Sequence, residues 1–147
     1  APFMTLKMMC AATRIILNAA PSEESSFSKL AFNSNLPEKM LAEMAMTPSV
    51  TESNRIHQNP DLERWSQVNE ITDVSHHSEY RATYHHEGGQ QELALVAKGD
   101  FNGDEQEDYL ITSKDTVEGG SYSALRLFII TRSPNESHYS LIREVSR

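Results

Sequence analysis

The chain has 147 residues, 38% hydrophobic and 23% charged, which suits one modest core in a single domain, 1–147. Lysine and arginine total 13 against 21 acids, a formal charge of -8; that balance excludes nucleic acid as the main partner, because phosphate binding needs a basic stripe, and speaks against anionic membrane surfaces. The lone cysteine, Cys10, excludes an intramolecular disulfide and a multi-thiolate zinc site.

Leu6, Met9, Cys10, Thr13, Ile16 and Leu17 recur at intervals of three and four, one stripe of an amphipathic helix. Cys10 stands among Met8, Met9, Ala11 and Ala12 and is expected to be buried there. No stretch is apolar for long enough to span a bilayer. The run from Met8 to Leu17 resembles a signal core but is interrupted by Arg14. The start at Ala1-Pro2 suggests a processed or truncated product from which a signal or anchor has been removed.

Pro21 and the run Ser22-Glu23-Glu24-Ser25-Ser26 break the helical pattern, and Phe27, Leu30 and Phe32 form a short apolar cluster. A second helix is expected with Asn35 as its cap, Pro37 in its first turn and Glu38 as its capping-box acid. Met40, Leu41 and Met44 would be its buried face, completing a helical part at 1–46. The polar stretch 47–60, with Pro48, is expected to be a linker. Asn59-Pro60 then opens a further helix with Leu62, Trp65 and Val68 on one side, and Trp65 anchors it to the core.

From about Glu79 the period changes to two. Tyr80, Ala82 and Tyr84 alternate with polar residues, Gly88-Gly89 makes a hairpin turn, and Leu93, Leu95 and Ala97 mark the next strand. Tyr109 to Thr112, Leu125 to Thr131 and Tyr139 to Val145 follow, with turns at Gly119-Gly120 and Ser133-Pro134-Asn135. The class is α+β: N-terminal helices packed on a C-terminal antiparallel β-meander of about five strands, with 61–147 holding the last helix and the sheet.

Between two of these strands lies Asp100 to Asp108, DFNGDEQED. Calcium takes six to eight oxygen ligands in flexible geometry. Asp100, Asn102 and Asp104 place such oxygens at every second residue, the backbone carbonyl of Gln106 can follow, and Asp108 closes the set. Gly103 lets the chain bend between ligands. Position twelve of an EF-hand would be a bidentate glutamate between helices; here it is Ile111, in a strand.

The stretch Gly99 to Ile111 resembles the calcium loop of FG-GAP and VCBS-type repeats, found in integrin α-chain propellers and many exported bacterial proteins. The resemblance places Asp100, Asn102, Asp104 and Asp108 on the family's ligand positions; with the Gln106 carbonyl they are the set expected to hold Ca2+, and the modest affinity of such sites favours a periplasmic or extracellular location. It does not imply a propeller, which needs at least about four blades of four strands. One position departs: Glu105 stands where those repeats usually have glycine, and a left-handed conformation there would cost about 1 kcal/mol. Affinity is expected on the order of 10⁻⁵ to 10⁻³ M.

Other residues carry weaker signals. His77 and His85 would share a face with Glu79 if 75–86 were one strand, a conceivable zinc set; His76 and His86 would point away. Glu118 to Tyr122 lacks the helix and the lysine of a phosphate loop, and no nucleophile elbow is present. Asn135-Glu136-Ser137 is a glycosylation sequon.

Three functions follow as expectations. The first is a non-catalytic exported calcium-binding module with a structural or protein-binding role. The second is a periplasmic sensor or carrier for a small apolar ligand, with Leu125, Leu127, Ile129 and Leu141 as pocket walls. The third is a hydrolase using the loop acids, which needs two carboxyls at a defined separation in a cleft.

Overall fold

The computed structural model describes residues 2–19, 30–47, 49–133 and 135–145. The expected breaks at Pro21 and 22–26, the side chain of Phe27, and the prolines at 48 and 134 lie outside the described residues. Four helices are described: α1 (Pro2–Leu17), α2 (Leu36–Lys39), α3 (Val50–Gln58) and α4 (Trp65–Val68), with a 3₁₀ turn at Ala42–Met44. The strands are β1 (Ile71–Ser78), β2 (Arg81–His86), β3 (Gly89–Gly99), β4 (Asp108–Val117), β5 (Ser123–Thr131) and β6 (Ser140–Val145). They form one antiparallel sheet in chain order, a six-stranded meander rather than the five strands expected.

The additional strand is β1. Its sequence, ITDVSHHS, carries only Ile71 and Val74 as apolar residues, so no alternation announces it. It is an edge strand paired with β2, interrupted by irregularities after Ile71 and after His76. Short, polar, irregular edges of this kind resist pairing with other chains.

Successive side chains on a strand point to opposite faces, and both faces of this sheet are covered in part. On one face Tyr84, Leu93, Ile111, Phe128 and Ile130 pack under the segment 30–69, whose Leu36, Met40, Met44 and Trp65 are nearly or fully buried. Trp65 locks this layer: its ring lies 4.9 Å from that of Tyr84, and its backbone amide donates to the Met40 carbonyl at 3.0 Å. On the other face Met8 and Ala12 of α1 pack on Leu110, Leu127 and Ile129.

The layer of 30–69 differs from the sequence reading in three ways. The second helix is one turn long, Asn35 makes no side-chain cap, and Met40, Leu41 and Met44 reach the core from extended and 3₁₀ backbone. The expected linker contains α3, whose N-cap Ser49 accepts a hydrogen bond from the Glu52 amide at 3.2 Å. The helix expected from Asn59-Pro60 forms only at Trp65–Val68.

The face of α1 also differs. The stripe holding Leu6, Met9, Ile16 and Leu17 is exposed, and so is Cys10, contrary to the expected burial. The helix is apolar on nearly every side, so periodicity does not select a face. The sheet takes the side bearing Met8, Ala11, Ala12 and Ile15. Gly89 answers a close approach of other atoms, since a Cβ there would lie 2.5 Å from Met46 Cε and 2.7 Å from the Thr116 carbonyl oxygen.

Candidate metal centre

The acidic loop joins β3 to β4, and the last pair of that ladder is Gly99 with Asp108. Asp100 begins the loop and organises it. Its Oδ1 accepts from the amides of Asn102, Gly103 and Asp104 at 3.2, 2.8 and 3.3 Å, and its Oδ2 accepts from Glu105 at 2.8 Å. Such a wrap needs two left-handed residues: Gly103 has φ 82° and Glu105 has φ 67°. The conformation that glycine would adopt freely is therefore carried by a glutamate at 105.

Asp104 and Asn102 clasp each other. The Asn102 side-chain amide donates to Asp104 Oδ2 at 3.2 Å, and the Asp104 backbone amide donates to Asn102 Oδ1 at 3.3 Å. Gln106 joins through its backbone amide, which donates to Asp104 Oδ1 at 2.9 Å. Asp108 closes the loop: its Oδ2 accepts from the Phe101 amide at 2.9 Å.

The fold thus gathers Asp100, Asp104 and Asp108, whose carboxylate oxygens lie within 4.8 Å of one another. Asp100 and Asp108 are buried and Asp104 is exposed. Asn102 and Gln106 are tied to Asp104 by the bonds above. Among the described residues this is the one group of three or more acids, histidines or cysteines close enough to share a metal ion.

Electrostatics divide the buried pair. Desolvation pushes the Asp100 carboxyl up, but the four amides outweigh it and hold its pKa below the ordinary carboxylate value. Asp108 goes the other way. Desolvation raises its pKa, the Phe101 amide and the Thr131 hydroxyl oppose this, and the charges of Asp104 and Asp100 add to the rise. Asp108 Oδ1 is buried with no hydrogen-bond donor in line with it. A desolvated carboxylate oxygen beside two other acids is a place where a cation removes both the repulsion and the unmet acceptor. The donor set fits a hard, oxygen-seeking ion.

The histidines are placed differently from the zinc expectation. Glu79 sits in the β1–β2 turn, so 75–86 is a hairpin and not one strand. His77 Nε2 lies 2.7 Å from Thr83 Oγ1, and His85 Nε2 lies 2.9 Å from Ser75 Oγ. The four residues expected as pocket walls divide between the faces: Leu125, Leu127 and Ile129 belong to the α1 side and Leu141 to the other. Two surface clefts of about 330 and 510 Å³ are lined by other residues, among them Arg126 and Glu144 in the first and His85 and Glu118 in the second.

A buried polar network escaped the sequence reading. Gln91 is fully buried; its Oε1 accepts from the Met46 amide and from Trp65 Nε1, and its Nε2 donates to the Met44 carbonyl at 2.7 Å. Ser113 donates to Asp115 Oδ1 at 2.6 Å. Asp115 Oδ2 stands 2.8 Å from Arg126 Nε, off the line of the N–H, so the contact is an ion pair rather than a directed hydrogen bond. The Arg126 guanidinium also donates to the carbonyls of Glu43, Met44 and Ala45. The available signal was phase: Gln91 is in phase with Leu93, Asp115 with Ile111, and Arg126 with Phe128, each on the core side of its strand. The network fastens the 3₁₀ turn to the sheet.

No family model, curated protein or solved structure matches the chain.

Proposed function

We propose that the Asp100–Asp108 loop binds calcium, and that the chain is a non-catalytic exported module in which the ion rigidifies the β3–β4 connection for a structural or protein-binding role. The observation that carries this reading is the convergence of three carboxylates within 4.8 Å, one of them a buried Asp108 with an unmet acceptor oxygen. Donors that are all oxygen, without histidine or cysteine, suit calcium rather than zinc or copper. Strands on both sides of the loop separate it from the EF-hand arrangement. The side chains that meet here are better explained as ligands than as a hydrolase pair, because a catalytic pair needs a separation that admits substrate or water. A site with an affinity on the order of 10⁻⁵ to 10⁻³ M is filled outside the cytoplasm and largely vacant inside it, which favours an exported setting.

Isothermal titration with calcium and with magnesium tests the reading. Calcium is expected to bind at one ion per chain within that range, and Asp104→Ala to abolish the heat. Absence of calcium binding at millimolar concentration refutes the proposal.

A further inference from the structure

The exposed apolar surface is concentrated on one helix. Among the described residues six large apolar side chains are exposed, and four of them, Leu6, Met9, Ile16 and Leu17, lie on α1 at 60, 61, 43 and 76%. At 3.6 residues per turn, Ile16, Met9, Thr13, Leu6, Leu17 and Cys10 follow one another around its outer side. Lys7 and Arg14 come next, both exposed, along one edge of that arc. The inner stripe of Met8 and Ala12 completes the circle against the sheet.

No acid occurs in α1, although acids outnumber bases 21 to 13 in the chain. The whole-chain balance that speaks against an acidic surface averages over this helix. The distribution decides between occupants. Pairing α1 with α1 of a second copy would bring two basic edges together with no acid on either helix to meet them. An anionic lipid surface offers a boundary for the apolar arc and continuous negative charge for the basic edge. Lysine and arginine can lay their stems along the apolar side and keep their heads among the phosphates.

We propose that α1 is an interfacial helix that lies in the plane of an anionic lipid bilayer with its Ile16–Met9–Leu6–Leu17 arc inserted at the headgroup boundary. The inner stripe stays on β5, so the sheet is carried parallel to the surface without unfolding. Charge and apolar area contribute separately, and each can be removed separately.

The test uses the full chain and vesicles of phosphatidylcholine, with and without about one third phosphatidylglycerol, in EDTA so that divalent ions cannot bridge the surfaces. Sedimentation is expected to show binding to the anionic vesicles that weakens as salt rises. Leu6→Ser/Met9→Ser/Leu17→Ser alters only exposed positions and should keep the circular dichroism and melting temperature while losing the vesicles. Lys7→Gln/Arg14→Gln should lower affinity for anionic vesicles by about 30-fold, taking about 1 kcal/mol for each basic residue at such a surface, and leave phosphatidylcholine unaffected. Failure to sediment with anionic vesicles overturns the proposal. So does unchanged binding by the triple serine variant, or a dimer in solution that the same variant dissolves.

Discussion

Replacing Asp108 by asparagine separates its closure of the loop from its proposed ligand role. Asparagine keeps an oxygen for the Phe101 amide and removes the charge. With calcium at about 100 times its dissociation constant, the native chain should gain about 2.7 kcal/mol of stability. For a chain of this size each kcal/mol is worth about 2 to 4 °C, so its melting temperature should rise by about 5 to 10 °C. Asp108→Asn should lose most of that gain. In EDTA the order reverses. The native carboxylate is desolvated and lies within 4.8 Å of the Asp104 and Asp100 oxygens. At that separation repulsion from Asp104 alone is about 1 kcal/mol even at the permittivity of water. The variant should therefore melt about 2 to 4 °C above the native chain in EDTA and below it in calcium. Scanning calorimetry under both conditions shows the crossing. An equal calcium response in the two proteins, or a variant weaker than native in EDTA, would refute the reasoning.

Three further outcomes follow from the geometry. Glu105→Gly should raise stability by up to about 0.5 kcal/mol, because relief of the left-handed φ of 67° slightly exceeds the added freedom of the unfolded chain; a lower thermal midpoint would contradict this. Asp115→Asn leaves Arg126 largely buried without its counter-charge and should cost about 3 kcal/mol, lowering the urea midpoint by about 1.5 M; a loss under about 1 kcal/mol would show the pair to be incidental. Tyr84 is buried and donates to the Asn33 carbonyl at 2.9 Å, and burial pushes its phenol well above the ordinary value of 10.0. Its raised folded pKa contributes stability that is present below pH 10.0 and is lost as pH climbs through the folded value, so Tyr84→Phe should flatten the alkaline decline in stability while costing about 1 kcal/mol at neutral pH.

Legibility in the sequence followed the range of the interactions. The acidic loop was visible because its spacing is local, and β2 to β6 were visible because turn residues and that loop separate runs of strand character. β1 was hidden because an edge strand of mostly polar residues forms through its partner, not through its own pattern. α3 was hidden because its residues are largely polar and exposed, although Ser49 and Glu52 carried the signature of a helix start. α1 was visible as a helix, yet its orientation depended on which side fits the sheet. The Gln91–Asp115–Arg126 network joins three strands to the turn at Ala42–Met44, a contact set that no short window contains.

The loop and α1 share one apolar cluster. Phe101, whose amide binds Asp108, packs with the cluster that holds Met8 and Ala12. Asp108 stands two residues before Leu110 on β4 and so faces the α1 side of the sheet, where the loop's charge opposes approach to an anionic surface. A bound calcium ion removes two units of that opposition. If both readings hold, calcium strengthens binding to phosphatidylglycerol vesicles in the native chain. Calcium can also bridge any acidic protein to anionic lipid, so the informative comparison is with Asp108→Asn, which keeps α1 and the remaining acids. The native chain should gain severalfold more affinity than the variant on adding calcium, while the two bind within a small factor of each other in EDTA. Equal gains would separate the loop from the helix and leave any vesicle binding seen in EDTA to α1 alone.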